Sequence, residues 1–154
     1  MKPRIDQNRA APNAAKGFYA TNAYLSQCSL PLPLIDLVYL RVSQINGCAY
    51  CIDKHSRDLL KQGLSIDKLV LVPVWREAGS LFDDRESAAL AWAESVTHLA
   101  GTGVPDADFA AVSAVFDERE VVDLTMAVSL MNAFNRLGVS LRLVPEGAKD
   151  QLAA

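Results

Sequence analysis

The stretch that best indicates the fold reads Cys48-Ala49-Tyr50-Cys51-Ile52-Asp53-Lys54-His55. We predict that it lies in a helix from Cys48 to Gln62, closed by Gly63 just beyond its end. Helical steps of three and four residues then put Cys48, Cys51 and His55 on one stripe. Cα atoms three residues apart on a helix lie about 5 Å from each other, which is within the range that a disulfide accepts. A helix N-terminus also favours thiolates, and His55 lies close enough to take a proton from Cys51 directly or through a water.

Three interpretations of this stretch remain open from the residues alone. The two cysteines and the histidine could be buried packing residues, since free cysteine is commonly buried. They could instead form part of a zinc site, although His98 and Cys28 stand alone and no second Cys/His cluster completes a tetrahedral set. The third interpretation, a redox-active dithiol with a nearby base, is the one we favour.

The sequence on both sides of this stretch also shows helical patterning. Helices are predicted over residues 12–25, 34–45, 48–62, 65–73, 84–100, 105–116 and 118–137. Asp117 and Glu120 form a capping-box pattern for the last of them, whose apolar stretch from Val121 to Phe134 indicates a buried centre or an oligomer contact. One run, Leu69 to Trp75, resembles a strand, but Pro73 argues against a central strand. The prediction is an all-α fold of about seven helices.

Length and composition allow one globular domain. The chain has 154 residues, of which 51% are hydrophobic and 21% are charged, so a single domain over residues 1–154 is expected, with a frayed tail over 146–154. The formal net charge of -3 provides no basic field for a nucleic acid. Three cysteines are few, and an odd number cannot all pair within one chain, so a disulfide-stapled secreted domain is not expected.

No targeting signal is visible in the sequence. The first fifteen residues contain no apolar segment of the kind found in signal peptides, and the longest apolar run is far below the roughly 20 residues that span a bilayer. We therefore expect a cytoplasmic protein with no membrane partner. The hydrophobic share is high for a lone small domain, which indicates surface buried between sister subunits.

A longer stretch, from Asp36 to Ser56, resembles the core motif of the alkylhydroperoxidase AhpD-like branch of the carboxymuconolactone decarboxylase family. That motif is an acidic residue, eleven further positions and then C-x-x-C-x-x-x-H, and here it lies within residues 34–63. Pieces elsewhere also resemble the family, namely Val74-Trp75-Arg76-Glu77, Asp84-Arg85-Glu86, Leu90-Ala91-Trp92 and Asn132-Ala133-Phe134-Asn135-Arg136-Leu137. The resemblance therefore extends over most of the chain.

The resemblance implies a helical subunit that assembles into homo-oligomers, commonly trimers or hexamers, and a thiol peroxidase site. Cys51 matches the peroxidatic cysteine, Cys48 the resolving cysteine and His55 the histidine of a proton relay. Asp36 stands where the family usually has a glutamate, so its reach toward the dithiol is one methylene shorter. Tyr50 stands where some members carry a second histidine. No metal or tightly bound cofactor is implied.

We therefore predict a thiol-dependent alkyl hydroperoxidase, or dithiol oxidoreductase, with Cys48, Cys51, His55 and Asp36 as site residues. Its substrate would be a hydroperoxide, and an external dithiol, such as a lipoyl group on a partner protein, would reduce it. Two alternatives are a non-enzymatic redox-sensing or metal-binding subunit, and a lyase of the type that named the family. Cys28 is expected to be a spare thiol, and Tyr50 a packing or rim residue.

Overall fold

The computed structural model describes residues 2–149, and within that range all regular secondary structure is helical, with no β-strand. Nine α-helices form in this range: α1 (Gln7–Ala10), α2 (Lys16–Leu25), α3 (Leu32–Ile45), α4 (Ala49–Lys61), α5 (Ile66–Leu71), α6 (Asp84–Thr97), α7 (Leu99–Thr102), α8 (Asp106–Ser113) and α9 (Glu118–Leu141). Three 3₁₀ helices join them, at Val72–Glu77, Gly79–Leu81 and Glu146–Ala148.

Local capping signals determine where several of these helices begin and end. Asp83 and Glu86 form a capping box at the start of α6, and Asp117 and Glu120 form another at the start of α9. In each box the aspartate side chain accepts a hydrogen bond from the backbone N–H of the glutamate, and the glutamate side chain accepts one from the backbone N–H of the aspartate. Gly63 follows α4 with φ of 91°, a left-handed conformation that favours glycine.

Helix α3 is the central element of the fold, and α4, α6 and α9 pack around it. Most of its side chains are buried, from Leu34 through Ser43 with the exception of Arg41. One apolar cluster lies between α3, α6 and α9 and includes both cysteines of the motif. A second cluster lies around Leu37, Leu40 and Leu59. This packing fixes the start of α4 between α3 and α9.

The all-α prediction is confirmed, and each of the seven predicted helices forms. The two additional helices in the described residues, α1 and α7, have only four residues each. The last helix extends past the predicted end at Leu137 to Leu141, because Gly138 lies within α9 and does not terminate it. The strand-like run from Leu69 to Trp75 is the end of α5 and the start of a 3₁₀ helix.

The structure describes residues 146–149 of the predicted frayed tail, 146–154. Glu146–Ala148 form a single 3₁₀ turn, whose Gly147 N–H donates to the Asp53 carboxylate on α4 at 3.3 Å. Residues 150–154 of that predicted tail lie outside the described residues. Across residues 2–149, no helix combines the length and the apolar character that a bilayer crossing requires.

Candidate active site

The two cysteines of the motif meet at the N-terminus of α4. Gly47, with φ of 66°, turns the chain between α3 and α4, and Cys48 is the N-cap residue, in an extended conformation. Cys51 lies one turn later on α4. The Sγ atoms of Cys48 and Cys51 are 2.9 Å apart, both thiols are free, and both side chains are buried. The predicted juxtaposition is therefore present as a hydrogen-bonded, reduced dithiol.

This hydrogen bond shifts the pKa values of the two thiols in opposite directions. The pKa of Cys48 falls to about 7, chiefly because Cys51 donates to its sulfur, with help from the backbone N–H groups of Cys51 and Tyr50 and from Asn135. The pKa of Cys51 is raised by that same bond, by burial and by the charge on Cys48. When the pair loses its first proton, the negative charge therefore rests mainly on Cys48.

An aspartate and a histidine form a second pair beside the dithiol. Asp36 on α3 lies with Oδ1 3.1 Å from Nδ1 of His55 on α4, and both side chains are buried. The Gln62 side-chain amide donates to the other oxygen of Asp36 at 2.6 Å. Although it is one methylene shorter than glutamate, Asp36 reaches the imidazole directly. A carboxylate on Nδ1 leaves Nε2 of His55 as the ring atom that can exchange a proton with a bound molecule.

Both pairs border one cavity of about 470 Å³. Cys51, His55 and Asp36 contribute to its lining, together with apolar and aromatic side chains. The Tyr39 ring lies 5.1 Å from the His55 ring, centroid to centroid, and Tyr50 also lines the cavity. Cys48 is more deeply buried than Cys51, at 1% against 5% exposure. The cavity thus gives a small organic molecule access to Cys51.

Uncharged polar side chains support the dithiol from the side of α9. Asn135 is 1% exposed, and its amide nitrogen donates to Ser43 Oγ on α3 at 3.0 Å. Its amide oxygen accepts a bond of 3.0 Å from Asn46. Hydrogen bonding by Asn135 lowers the pKa of both thiols. Asn135 therefore stabilises negative charge on the pair without adding a charge of its own.

The structure brings together the four site residues predicted from the sequence as two neighbouring pairs. Sequence reasoning missed Gln62 and Asn135, although Asn135 lies within one of the stretches that resemble the family. Cys28 is a free, half-buried thiol that packs against the core. His98 is the C-cap residue of α6.

A group of possible metal ligands lies in the same cavity. Asp36, His55 and Asp58 each offer one ligand atom, and these atoms lie within 4.8 Å of one another. The atoms are already engaged, because Asp58 accepts a bond of 2.6 Å from Lys54 and both oxygens of Asp36 have donors. The cluster is therefore better satisfied as a hydrogen-bonded network than as an open ligand set.

Comparison with known proteins gives matches over most of the chain. Residues 12–95, more than half of the chain, match the carboxymuconolactone decarboxylase family. The uncharacterized protein YdfG of Bacillus subtilis (strain 168) is 31% identical over 141 residues, which cover 92% of this chain and 95% of YdfG.

Solved structures with the same fold include two with AhpD in their descriptions. A protein of unknown function from Agrobacterium tumefaciens, provisionally assigned to antioxidant defence as AhpD, is 38% identical with a TM-score of 0.90, over 94% of this chain and 98% of that one. An uncharacterized peroxidase-related protein from Ralstonia eutropha JMP134, described as an alkylhydroperoxidase AhpD core, is 21% identical with a TM-score of 0.79, over 91% of this chain and 74% of that one. The second likeness concerns the fold alone.

Proposed function

The chain belongs to the carboxymuconolactone decarboxylase family, in its AhpD-like branch, and we propose that it is a thiol-dependent hydroperoxide reductase. The observation that carries the proposal is the reduced Cys48–Cys51 pair, with sulfurs 2.9 Å apart, beside a cavity that His55 also lines. Such a pair can supply two electrons and close to a disulfide. The lyase chemistry that named the family requires no dithiol.

In the proposed reaction the two thiols have different tasks. The charge of the resting pair is held mainly by Cys48, and the Cys51 proton passes to Cys48 across the S–H···S bond. Cys51 then attacks the distal oxygen of a hydroperoxide in the cavity, breaking the O–O bond and becoming a sulfenic acid. The released alkoxide or hydroxide takes a proton from the site, and His55, held by Asp36, is the group suited to deliver it.

The cycle closes through the second thiol. Cys48 attacks the sulfur of the Cys51 sulfenic acid, which expels water and forms the Cys48–Cys51 disulfide. The peroxide has then gained two electrons and the dithiol has lost two. An external dithiol, such as a lipoyl group, reduces the disulfide by thiol–disulfide exchange and restores both thiols.

The test is peroxide consumption by the protein and three cysteine variants. With cumene hydroperoxide and dihydrolipoamide, we expect wild type and Cys28→Ser to turn over, Cys51→Ser to be inactive, and Cys48→Ser to stop after about one oxidation. Titration of thiols should show that peroxide removes two per wild-type chain. Full turnover by Cys51→Ser, or no loss of thiols, would exclude the proposal.

A second candidate is a metal-binding subunit, for which Asp36, His55 and Asp58 offer ligand atoms within 4.8 Å of one another, although these atoms already have hydrogen-bond partners. Metal analysis of protein purified without chelators distinguishes the two. Stoichiometric zinc that is lost in Asp58→Asn, together with thiols that do not react with peroxide, would favour the metal-binding subunit. Metal-free protein that loses two thiols to peroxide would favour the reductase.

The proposed enzyme is a homo-oligomer. Helix α9 buries one face in the core, yet Val122 and Met126 are exposed on it, and Ile66 and Val70 are exposed on α5. Clustered exposed apolar side chains are typical of surfaces that are covered by a partner. Light scattering after gel filtration should give a multiple of the 16.7 kDa subunit mass, and Val122→Glu should reduce it.

A further inference from the structure

A buried glycine on α9 faces the dithiol. A methyl group built on Gly138 would lie 2.7 Å from Sγ of Cys48 and 3.8 Å from Sγ of Cys51. The shorter distance is below any carbon–sulfur contact without a bond, so one of the two groups would have to move. The sulfur atom sits directly on Cβ of its residue and can move only by rotation about one bond or with the backbone. Gly138 therefore defines the space that the Cys48 sulfur occupies.

Backbone conformation does not explain why this residue is glycine. Gly47, Gly63 and Gly103 have positive φ values, which favour glycine, whereas Gly138 lies within a regular helix. Glycine inside a helix is less favourable than alanine, so its presence requires another reason. The second glycine of interest, Gly17, also lies within a helix, α2, and its position has nothing within 4 Å. Gly17 is exposed and Gly138 is buried, and a Cβ would meet the thiols only at Gly138.

We propose that Gly138 is a positioning residue of the dithiol: the missing side chain leaves the space in which the Cys48 sulfur accepts the hydrogen bond from Cys51. This inference rests on the proposed function, since it assigns Gly138 a part in keeping the pair reactive. The Cys48 sulfur is confined between the first turn of α4 and the last turns of α9. Any retreat from a methyl group there would alter the 2.9 Å contact with Cys51.

The groups around the sulfurs make the ionisation of the pair a direct readout of this contact. Ser43 from α3 and Asn135 from α9 bond to the thiols, and both are uncharged. On α4 itself the adjacent groups are backbone N–H groups. The titratable groups that share the cavity with Cys51 include Asp36 and His55, which bond to each other, and Lys54 and Asp58, which form an ion pair. A change at Gly138 that weakens the S–H···S bond should therefore reduce the thiolate content near neutral pH.

The test compares Gly138→Ala with Gly17→Ala, which makes the same chemical change in a helix with open space around it. Thiolate absorbance at 240 nm is followed from about pH 5 to 10, with Cys28→Ser as the common background. In wild type and Gly17→Ala, about half of the Cys48 thiol should be ionised at pH 7. In Gly138→Ala the thiolate fraction should fall below about one tenth, nearer to that of an ordinary cysteine. Peroxide turnover of Gly138→Ala should reach its wild-type rate only at a higher pH. An unchanged titration in Gly138→Ala would overturn the proposal.

A second arm remains informative if Gly138→Ala folds poorly. The same substitution is made in Cys48→Ala, where the sulfur is absent. Gly138→Ala should lower the melting temperature when Cys48 is present, and leave it unchanged or raise it when Cys48 is alanine, since alanine is the better helix former. An equal fall in both backgrounds would overturn the proposal. The thiolate titration and the melting temperatures are measured without peroxide, so a wild-type protein without turnover would refute the proposed function and leave these two measurements to decide the role of Gly138.

Discussion

Removal of either cysteine of the pair should return the pKa of the remaining thiol toward the ordinary cysteine value, upward for Cys48 and downward for Cys51. The pKa of Cys48 lies near 7 chiefly because Cys51 donates to its sulfur. Cys51→Ala removes that donor and leaves the backbone N–H groups and Asn135, so the pKa of Cys48 should rise toward the ordinary cysteine value. Cys48→Ala removes both the bond and the charge that raise the pKa of Cys51, which should therefore fall toward the same ordinary value.

The size of the effect follows from the thiolate fractions. A group with a pKa of about 7 is half ionised at pH 7. An ordinary cysteine with a pKa of about 8.5 is only about 3% ionised at that pH, roughly a fifteenfold difference. In the wild-type pair, Cys48 should lose its proton near neutral pH. Cys51 should still be protonated at about pH 10, since its pKa is raised. Each single variant should lose its one proton between these two ranges.

Absorbance at 240 nm measures these fractions, with Cys28→Ser as the background so that no third thiol contributes. Melting curves at each pH confirm that the protein is folded. The reasoning would be refuted if Cys48 in the Cys51→Ala variant still titrated near pH 7. In that case the N-terminus of α4, rather than the sulfur pair, would hold the thiolate.

Three further predictions concern side chains in the cavity and on helix α6. Gln62→Ala should lower peroxide turnover by about tenfold in steady-state assays, because Asp36 loses the donor to its second oxygen. Glu94→Gln should lower the free energy of unfolding in urea by about 1–3 kcal/mol, since Arg76 and two other donors lose a carboxylate. These donors outweigh burial and lower the pKa of Glu94, so the deficit should shrink below about pH 4.5. Burial and the charge of Asp36 raise the pKa of the Tyr39 hydroxyl in the folded protein, so above about pH 10 the unfolded chain releases this proton first and thermal stability falls. Tyr39→Phe should make this fall in melting temperature smaller.

Features with causes close in sequence could be predicted from the sequence. The capping box at Asp117 and the turn at Gly63 involve residues no more than three or four positions apart. The approach of Cys48 and Cys51 has the same origin, since one helical turn brings residues i and i+3 together. The link between Asp36 and His55 crosses two helices, and the motif spacing rather than periodicity indicated it.

Contacts between distant segments could not be predicted in this way. Asn135 and Ser43 lie 92 positions apart, and only the packing of α9 on α3 brings them together. Gly138 was missed for a related reason, because a glycine near the end of a predicted helix ordinarily indicates a stop. Its actual role depends on a thiol from another helix. The sequence predicts Gln62 only as the last residue of a helix. No local pattern indicates its bond to the Asp36 carboxylate, 26 positions earlier.

The division of roles between the two thiols meets two requirements that a single reactive cysteine could not easily meet together. A nucleophile needs contact with its substrate, whereas a stable thiolate in a partly apolar site needs hydrogen-bond donors around it. Here Cys48 lies at the helix N-terminus and near Asn135, and Cys51 borders the cavity. Transfer of one proton across 2.9 Å would move the charge to the thiol that borders the cavity without rearranging the fold. Gly138→Ala tests this account, because the added methyl group would press on the Cys48 sulfur and reach Cys51 only at 3.8 Å.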